Sequence, residues 1–396
     1  MSSDGAPGVS LRLTAIAVAV AALLAVVSGT IGGGTPHRVL AALALPPLLA
    51  IVLAAAATHR RLLAPAGVSL ALFLAAALVT VRAAHVALAA LALAATVVLA
   101  AATCRGARIP RGSLRDYLIL TKPRIMSLLL LTGACGMVVG ARGAPSASRL
   151  GLMLLGLALA CGGASALNHV LDRDIDRLMG PRTASRPVAA GRLTAPRALE
   201  FGLALSAASF VVLGSTVNIL TAVLALAGNL FYVVVYTGYL KRRGPGNIVL
   251  GGAAGAVPPL VGYAAATGNL ALPALWLFLI VSLWTPPHFW SLALVLRDHY
   301  AAARVPMLPV VRGDAVTLRR IVGYTLVLVA FTVVPFATGS FGLVYLGGAL
   351  ALGAAFLALT LWLRQAADRR RAAFVFHSSL LYLALVFVAA ALDAAV

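Results

Sequence analysis

The sequence has little charge, and very little of it is negative. Charged residues make up 10% of the 396 positions, with ten acidic side chains against 31 lysines and arginines. A soluble globular protein needs more polar side chains than this to cover its surface, so that class is excluded. Since 62% of the residues are hydrophobic, we predict an integral membrane protein.

Cysteine and strand-like patterning are also scarce. Cys104, Cys135 and Cys161 lie in or beside apolar segments without CxxC spacing, which excludes a disulfide framework or a cysteine zinc site. Strict two-residue alternation is absent, so a membrane β-barrel is not expected. Many apolar runs instead approach or exceed the ~18 residues that span a bilayer as a helix. The predicted class is therefore an all-α polytopic membrane protein.

The apolar runs divide the chain into thirteen predicted spans. They lie at 11–31, 39–58, 62–81, 84–103, 125–141, 149–170, 198–216, 219–239, 247–267, 273–296, 321–338, 341–363 and 372–392. With a cytoplasmic N-terminus, every lysine and arginine falls on the cytoplasmic side except Arg38, Arg82, Arg142 and Arg149. This partition follows the positive-inside rule. The net charge of +21 is thus explained by membrane topology and not by nucleic-acid binding, and a bacterial plasma membrane is expected.

Three regions are predicted: a four-span module at 1–104, a basic linker and lead-in at 105–124, and nine spans at 125–396. In the first module, His37 and His85 lie near the outer face at the starts of alternate helices. Two facing imidazoles at one depth could ligate a haem. Interfacial polar residues would have the same pattern, so both interpretations stay open.

Three of the ten acidic residues, Asp172, Asp174 and Asp176, lie together directly after the sixth span. Asn168, Asp172 and Asp176 are spaced i, i+4 and i+8, which on a helix places them along one stripe about 12 Å long. Such oxygen donors suit Mg²⁺, which binds through one or two carboxylates plus a substrate phosphate. Asp174 points elsewhere and is expected to pair with a nearby cation. A solvated, salt-bridged loop is the alternative.

Cations surround this acidic stretch. Arg182, Arg186 and Arg192 follow it and are expected to add positive charge near the metal, as a leaving pyrophosphate would require. Lys241 and Arg242 end the eighth span. They could bind the same anion, or they could be only a topological stop signal.

Two further polar stretches lie in the second half of the chain. Pro286 and Pro287 are expected to break a helix, leaving His288 facing the bundle interior as a substrate contact or as a satisfied packing residue. The following cytoplasmic loop contributes Asp298 and Tyr300. An alternative hypothesis is a transporter whose acidic loop gates cations. The acidic groups cluster at one membrane face and not along the membrane midplane, which argues against it.

These motifs, in this order, resemble those of the UbiA superfamily of intramembrane prenyltransferases. The first is Asn168-x3-Asp172-x3-Asp176 followed by Arg182-Thr183 and Arg186-Pro187. The others are Tyr236-Thr237-x2-Leu240-Lys241-Arg242, Gly251-Gly-Ala-Ala-Gly255-Ala-Val-Pro258-Pro259, Trp284-Thr-Pro-Pro-His288-Phe-Trp290 and Val305-Pro-Met-Leu-Pro-Val310. They narrow the resemblance, over about 115–392, to the protohaem IX farnesyltransferase (haem O synthase) family.

The resemblance implies a nine-helix UbiA-type bundle preceded by four extra helices. It implies transfer of a farnesyl group from farnesyl diphosphate to a vinyl group of haem B, with addition of water and release of diphosphate, giving haem O for haem-copper oxidase assembly. An implied alternative acceptor is a quinone-precursor aromatic acid. The implied metal ligands for Mg²⁺ are Asn168, Asp172, Asp176 and Asp298. The implied catalytic residues are Asp172, Asp176, Asp298 and Lys241, and the implied substrate-binding residues are Arg182, Arg186, Arg242, Tyr236, His288 and Tyr300.

Three features depart from the family pattern. His299 follows Asp298 where a second acid is common, and Arg304 stands where a glycine is common. The four N-terminal spans lie outside the core family and loosely resemble half of a haem A synthase. That resemblance implies haem binding by His37 and His85, and haem A synthase as a partner.

Overall fold

A computed structural model of the protein describes residues 112–366 and 368–396. The predicted N-terminal module, with His37 and His85, lies outside the described residues, and its boundary at residue 104 stays a prediction. The described part is helical, without a strand, and nine of its helical segments are long and apolar enough to span a membrane. The predicted all-α, nine-span core is confirmed.

The helices of the first half precede and follow the acidic stretch. Their bounds are α1 (Leu114–Thr121), α2 (Pro123–Ala141), α3 (Ala147–Leu171), α4 (Arg173–Leu178), α5 (Pro181–Ala184), α6 (Ala195–Thr216) and α7 (Ile219–Leu230). The α7 segment continues as a π-helix over Phe231–Tyr239 and a 3₁₀ turn over Leu240–Arg242, so that the span covers Ile219–Arg242.

The second half completes the bundle. Its helices are α8 (Asn247–Thr267), α9 (Leu272–Val295), α10 (Arg297–Ala302), α11 (Leu308–Phe331), α12 (Val334–Ala337), α13 (Leu343–Gln365) and α14 (Arg369–Ala395). Helix α3 packs along α6, and α8 packs against both α2 and α9, while α14 contacts α2, α9 and α13. The long helices therefore enclose a common apolar interior.

The lead-in helix α1 is fixed by local chemistry at both ends. At its start, the Ser113 hydroxyl accepts a hydrogen bond from the Asp116 N–H, and the Asp116 carboxylate accepts one from the Ser113 N–H. This reciprocal capping box satisfies two N–H groups that the first turn leaves without helical partners. At its end, Lys122 adopts a left-handed conformation, and α2 begins directly at Pro123. The chain thus turns into the membrane with Lys122 at the junction.

Small residues bring α2 and α8 into backbone contact. A Cβ at Gly262 would collide with the carbonyl oxygen of Gly133, and a Cβ at Gly136 would collide with that of Pro259. Glycine at such positions lets membrane helices approach more closely than other residues allow. This close crossing holds α8 beside α2, whose first turn follows Lys122.

The expected break at Pro286 and Pro287 is wrong, because α9 runs without interruption from Leu272 to Val295. The Thr285 hydroxyl donates to the Val281 carbonyl, and the Ser291 hydroxyl donates to the Pro287 carbonyl, on either side of the proline pair. Side-chain hydroxyls of this kind help to satisfy backbone groups around proline in a membrane helix. Irregular backbone lies instead at the π-helical end of the α7 span and at Gly313, whose φ of 76° kinks α11.

Candidate active site

The three predicted metal-site residues lie at the junction of α3 and α4. Asp172 has φ −90° and ψ 5°, which separates the two helices. Its N–H nevertheless donates to the Asn168 carbonyl at 2.8 Å, and the Asp176 N–H donates to the Asp172 carbonyl at 2.8 Å. The four-residue spacing is therefore preserved across the junction. All three side chains are buried, and Asp172 and Asp176 are each only 1% exposed.

Three cations from different parts of the chain meet this stripe. Lys241 Nζ lies 2.6 Å from Asp172 Oδ2, and Arg186 Nη1 lies 2.6 Å from Asp176 Oδ1. Lys122 Nζ donates to Asn168 Oδ1 at 2.8 Å. We call Asn168, Asp172 and Asp176 with these three cations the acid cluster. When Lys122 is charged, one positive charge remains in excess over the two carboxylates, which favours an anionic ligand.

Asn168 connects the groups of the acid cluster. Its Nδ2 donates to Asp172 Oδ2 at 2.7 Å and to the Thr237 hydroxyl at 3.1 Å. Its Oδ1 already accepts from Lys122. In this arrangement Asn168 orients the Asp172 carboxylate, and its predicted part as a metal ligand stays a prediction.

One oxygen of each aspartate has no protein partner. Asp172 Oδ1 and Asp176 Oδ2 are buried and accept no hydrogen bond from the described residues. Leaving such atoms unpaired costs free energy, so a ligand that satisfies them would be stabilised. Within the described ranges no three His, Cys, Asp or Glu side chains converge. Two carboxylate oxygens still fit Mg²⁺, which normally completes its shell with water and substrate phosphate.

The charges in the acid cluster alter the pKa values of its members. Burial raises the pKa of Asp176, although Arg186 opposes the shift. Burial, followed by the nearby charges of Arg186 and Lys241, lowers the pKa of Lys122 to about 7. An anion bound here would offset the repulsion among the cations and favour the charged form of Lys122.

Asp174 and Arg242 form a separate ion pair on the outside of the same turn. Both guanidinium Nη atoms contact the Asp174 carboxylate, at 2.7 and 2.8 Å, and Nη2 also donates to the Leu171 carbonyl. The hydrogen bonds from Arg242 lower the pKa of Asp174 to about 2. Asp174 thus has the cationic partner predicted for it, supplied by a neighbouring loop. Arg242 points to Asp174, and its substrate-binding role stays a prediction.

The remaining arginines of this loop differ in position. The expectation that Arg192 adds charge near the metal is wrong, since its Nε lies 2.9 Å from Asp116 and its Nη2 donates to the Ser185 carbonyl. This pair fastens the loop to α1. Arg182 is exposed on α5, and its predicted contact with substrate stays a prediction.

Asp298 does not join the acid cluster in the structure. It is exposed in the first turn of α10. The next residue, His299, packs against Gly180, whose φ of 105° suits glycine and where a Cβ would meet the imidazole ring. This contact joins α10 to the acidic stretch. The catalytic and metal-binding roles predicted for Asp298 are untested by this geometry.

Two predicted aromatic residues pack beside the acid cluster. Tyr236 and Tyr300 are buried in one apolar cluster with Ile175 of α4. The Tyr236 ring stacks on Tyr232 with centroids 5.7 Å apart. Burial raises the pKa of Tyr300 to about 12. These side chains form an apolar wall next to the charged groups, as a substrate with a hydrocarbon tail requires.

His288 faces the bundle interior, as predicted. Its ring stacks between Trp284 and Phe376, at centroid distances of 4.2 and 4.6 Å, and Nδ1 lies 2.7 Å from the Ser379 hydroxyl. These contacts join α9 to α14. They satisfy the packing interpretation of His288, and its contact with substrate stays a prediction.

Lys122 and Thr237 contact the acid cluster but were not predicted as site residues. Lys122 is 46 positions from Asn168, and Thr237 is 69 positions from it. A lysine beside a proline at the start of a span was a usable signal for the first. Thr237 belongs to the motif Tyr236-Thr237-x2-Leu240-Lys241-Arg242, but the motif assigns it no role, and the π-helical segment places its hydroxyl at Asn168.

Comparison with known proteins agrees with this geometry. Residues 129–386 match the UbiA prenyltransferase family. A protoheme IX farnesyltransferase of Symbiobacterium thermophilum is 50% identical over 70% of this chain and 94% of its own length. A protoheme IX farnesyltransferase of a Roseiflexus species is 50% identical over 71% of this chain, which spans only 52% of that relative.

Solved structures share the fold at low sequence identity. A digeranylgeranylglyceryl phosphate synthase structure superposes with a TM-score of 0.59 at 20% identity, over 71% of this chain and 98% of the other. A UbiA homolog from Archaeoglobus fulgidus, bound to GPP and Mg²⁺, gives a TM-score of 0.52 at 18% identity, over 69% of this chain and 99% of the other. The chain belongs to the UbiA prenyltransferase family.

Proposed function

We propose that this protein transfers the farnesyl group of farnesyl diphosphate to a vinyl group of haem B, with addition of water, giving haem O and diphosphate. The observation that carries the proposal is 50% identity, across the prenyltransferase core, to relatives named protoheme IX farnesyltransferase. The acid cluster supplies the chemistry that such a transfer needs. The product would serve haem-copper oxidase assembly.

The proposed reaction separates charge at the diphosphate end of the substrate. The C–O bond to farnesyl C1 breaks, and the electron pair leaves with the diphosphate. The vinyl π electrons form the new bond to C1, water adds to the resulting cation, and that water loses a proton. Lys241, Arg186 and Lys122 are placed to stabilise the negative charge that develops on the leaving group.

The acid cluster has donors for a magnesium ion. Asp172 Oδ1 and Asp176 Oδ2 would hold it, with Asn168 orienting the first of these carboxylates. Mg²⁺ supplies electrostatic neutralisation of the departing diphosphate. Asp298 belongs to this proposal as a further acidic group at the same end of the bundle.

The apolar wall formed by Tyr236, Tyr300 and Ile175 would exclude bulk water from the reacting carbon. Premature capture of an allylic cation by water would give farnesol instead of the haem product. A dry site therefore protects the intermediate until the vinyl group has reacted.

The finer surroundings of the reaction are also proposals. We place the protein in a bacterial plasma membrane with the acid cluster at the cytoplasmic face. The N-terminal spans would bind haem through His37 and His85, and haem A synthase would receive the product. The full chain carrying His37→Ala plus His85→Ala should retain less haem than wild type, measured by Soret absorbance, because only the site in the core would remain.

The proposed reaction is tested with purified protein in liposomes containing haem B, farnesyl diphosphate and Mg²⁺. Mass spectrometry should detect a product heavier than haem B by one farnesyl group and one water. Asp176→Asn is the matched inactive control, because it keeps the shape of the side chain. Prenylation of an aromatic acid instead of haem would overturn the proposal that haem B is the acceptor. Cation uptake unaffected by Asp172→Asn, without any prenyl transfer, would indicate the transporter.

A further inference from the structure

A small cavity lies beside the acid cluster, on the other side of α4. Its volume is about 190 Å³, and it is lined by Asp174, Ile175, Leu178, Arg242, Arg304 and Val305, among others. Ile175 and Val305 also belong to the apolar cluster that contains Tyr236 and Tyr300. The cavity therefore borders the apolar cluster that contains Tyr236 and Tyr300, and two arginines also line it.

The charges around this cavity sum to a single positive charge. Arg242 is paired with Asp174 and is held further by the Leu171 carbonyl. Arg304 is exposed, and no hydrogen bond or ion pair joins its guanidinium to a residue in the described ranges. Arg304 thus has its donors available to a ligand next to a second, already oriented guanidinium.

The backbone at Arg304 is unusual for this residue type. Its φ is 54°, in the left-handed region that side chains with a Cβ rarely adopt. The turn is held by hydrogen bonds from the Arg304 N–H to Ala301 and from the Val305 N–H to Tyr300. A strained position that keeps a long cationic side chain at a cavity suggests a role for that side chain.

We propose that Arg304, together with Arg242, binds a propionate carboxylate of the haem substrate and sets the orientation of the macrocycle. This inference rests on the proposed function. Haem B carries its carboxylates along one edge and is otherwise apolar, and its vinyl groups lie away from that edge. A carboxylate on an apolar body matches a cavity with one net positive charge and apolar lining.

Two observations favour a carboxylate over the diphosphate. The acid cluster has three cations and two unpaired carboxylate oxygens, so a multiply charged, metal-binding anion is better accommodated there. The cavity is also too small for a porphyrin, so only a side-chain arm would enter it. Anchored in this way, the propionate edge would lie at the rim, and the opposite edge could extend toward the reacting carbon.

The experiment compares haem B with its dimethyl ester, in which both carboxylates are masked. Wild type should show a KM for the ester about three- to tenfold above that for haem B, a typical effect of losing a partly exposed charged hydrogen bond. Arg304→Gly should raise the KM for haem B by a similar factor, while the KM for the ester and for farnesyl diphosphate stays unchanged. The control is Arg142→Gly, because Arg142 is another exposed arginine with positive φ. It follows the end of α2 that lies away from Lys122 and the acid cluster.

Three results would overturn the inference: an unchanged KM for haem B in Arg304→Gly, an equal rise for both porphyrins, or a rise for farnesyl diphosphate instead. If wild type forms no product from either porphyrin, the proposed function fails separately. Titrations followed by Soret absorbance then test Arg304 alone, and weaker binding of haem B but not of its ester in Arg304→Gly supports the carboxylate contact.

Discussion

Two carboxylates only two residues apart have opposite surroundings in this protein. Asp172 is buried, shares one oxygen with Lys241 and Asn168, and leaves the other without a partner. Asp174 is 59% exposed, and both of its oxygens are bound by Arg242. The same residue type on one helical turn therefore serves two purposes. The satisfied, solvated pair joins two loops, while the buried, incompletely satisfied one is suited to bind a ligand.

The contrast follows from helix geometry. Successive residues are rotated by about 100°, so side chains two positions apart point to nearly opposite sides of a helix. Asp172 faces the bundle interior, where cations from other helices reach it, and Asp174 faces the outside. The role of a charged residue at the end of a membrane span can thus be inferred from the helix face on which it lies as well as from its charge.

The largest expected effect comes from removing the charge of the buried aspartates. Asp172→Asn and Asp176→Asn should each lower kcat/KM by at least about 10²-fold, because a site that stabilises a leaving anion loses a metal-binding oxygen. Asp174→Asn should change kcat at saturating haem B by less than about threefold, because Asp174 lies outside the acid cluster and belongs to an exposed pair. Product formation in liposomes measures all three. Similar losses in Asp172→Asn and Asp174→Asn would abolish the distinction between them.

Substitution of Lys122 tests whether the cations of the acid cluster contact the substrate. Lys122→Met should raise the KM for farnesyl diphosphate by about 10-fold, since a partly buried charged hydrogen bond is lost, and Lys122→Arg should retain more activity. Arg142→Met is the control, because it removes a cation at positive φ from the other end of α2. Steady-state kinetics in both substrates measures the effect. A rise confined to the haem KM would contradict a diphosphate contact.

Thr237 tests the orientation of Asn168. Thr237→Val keeps the shape but removes the hydroxyl that accepts from Asn168, and should lower kcat by about three- to tenfold, the effect of one lost neutral hydrogen bond. Thr285→Val is the matched control, since that buried hydroxyl bonds only within its own helix. Activity assays on both variants measure this difference. Equal losses in the two variants would indicate a general packing effect.

We expect the smallest change from the exposed ion pair of Asp174 and Arg242, in the pH dependence of stability. The pKa of Asp174 is lowered from 3.8 to about 2 by Arg242, so its contribution to stability is present above about pH 4 and disappears as the pH falls toward 2. The thermal unfolding midpoint of wild type should therefore exceed that of Asp174→Asn slightly near neutral pH, and the two should converge in acid. A difference that grows in acid would contradict the direction of the shift.

The structure also shows where inference from sequence failed. The proline pair at 286–287 suggested a broken helix, yet α9 is continuous, and irregular backbone lies at the end of the α7 span and at Gly313 of α11. Arg192 was expected near the metal because it follows the acidic stretch, yet it binds Asp116 on α1. The two errors have different causes. Hydroxyl groups of α9 itself bond backbone carbonyls beside the proline pair, whereas Arg192 pairs with an acidic residue on a helix 76 positions away in sequence.

The nine core spans and the stripe of Asn168, Asp172 and Asp176 could be predicted from the amino-acid sequence. Hydropathy over a span and four-residue spacing on a helix are local properties, and local geometry preserves them. The packing of the helices determines which cations contact the stripe, which aspartate oxygens lack partners, and which aspartate faces outward. Lys122, Thr237 and Lys241 reach it from 46 to 69 positions away, so their contacts depend on how whole helices pack.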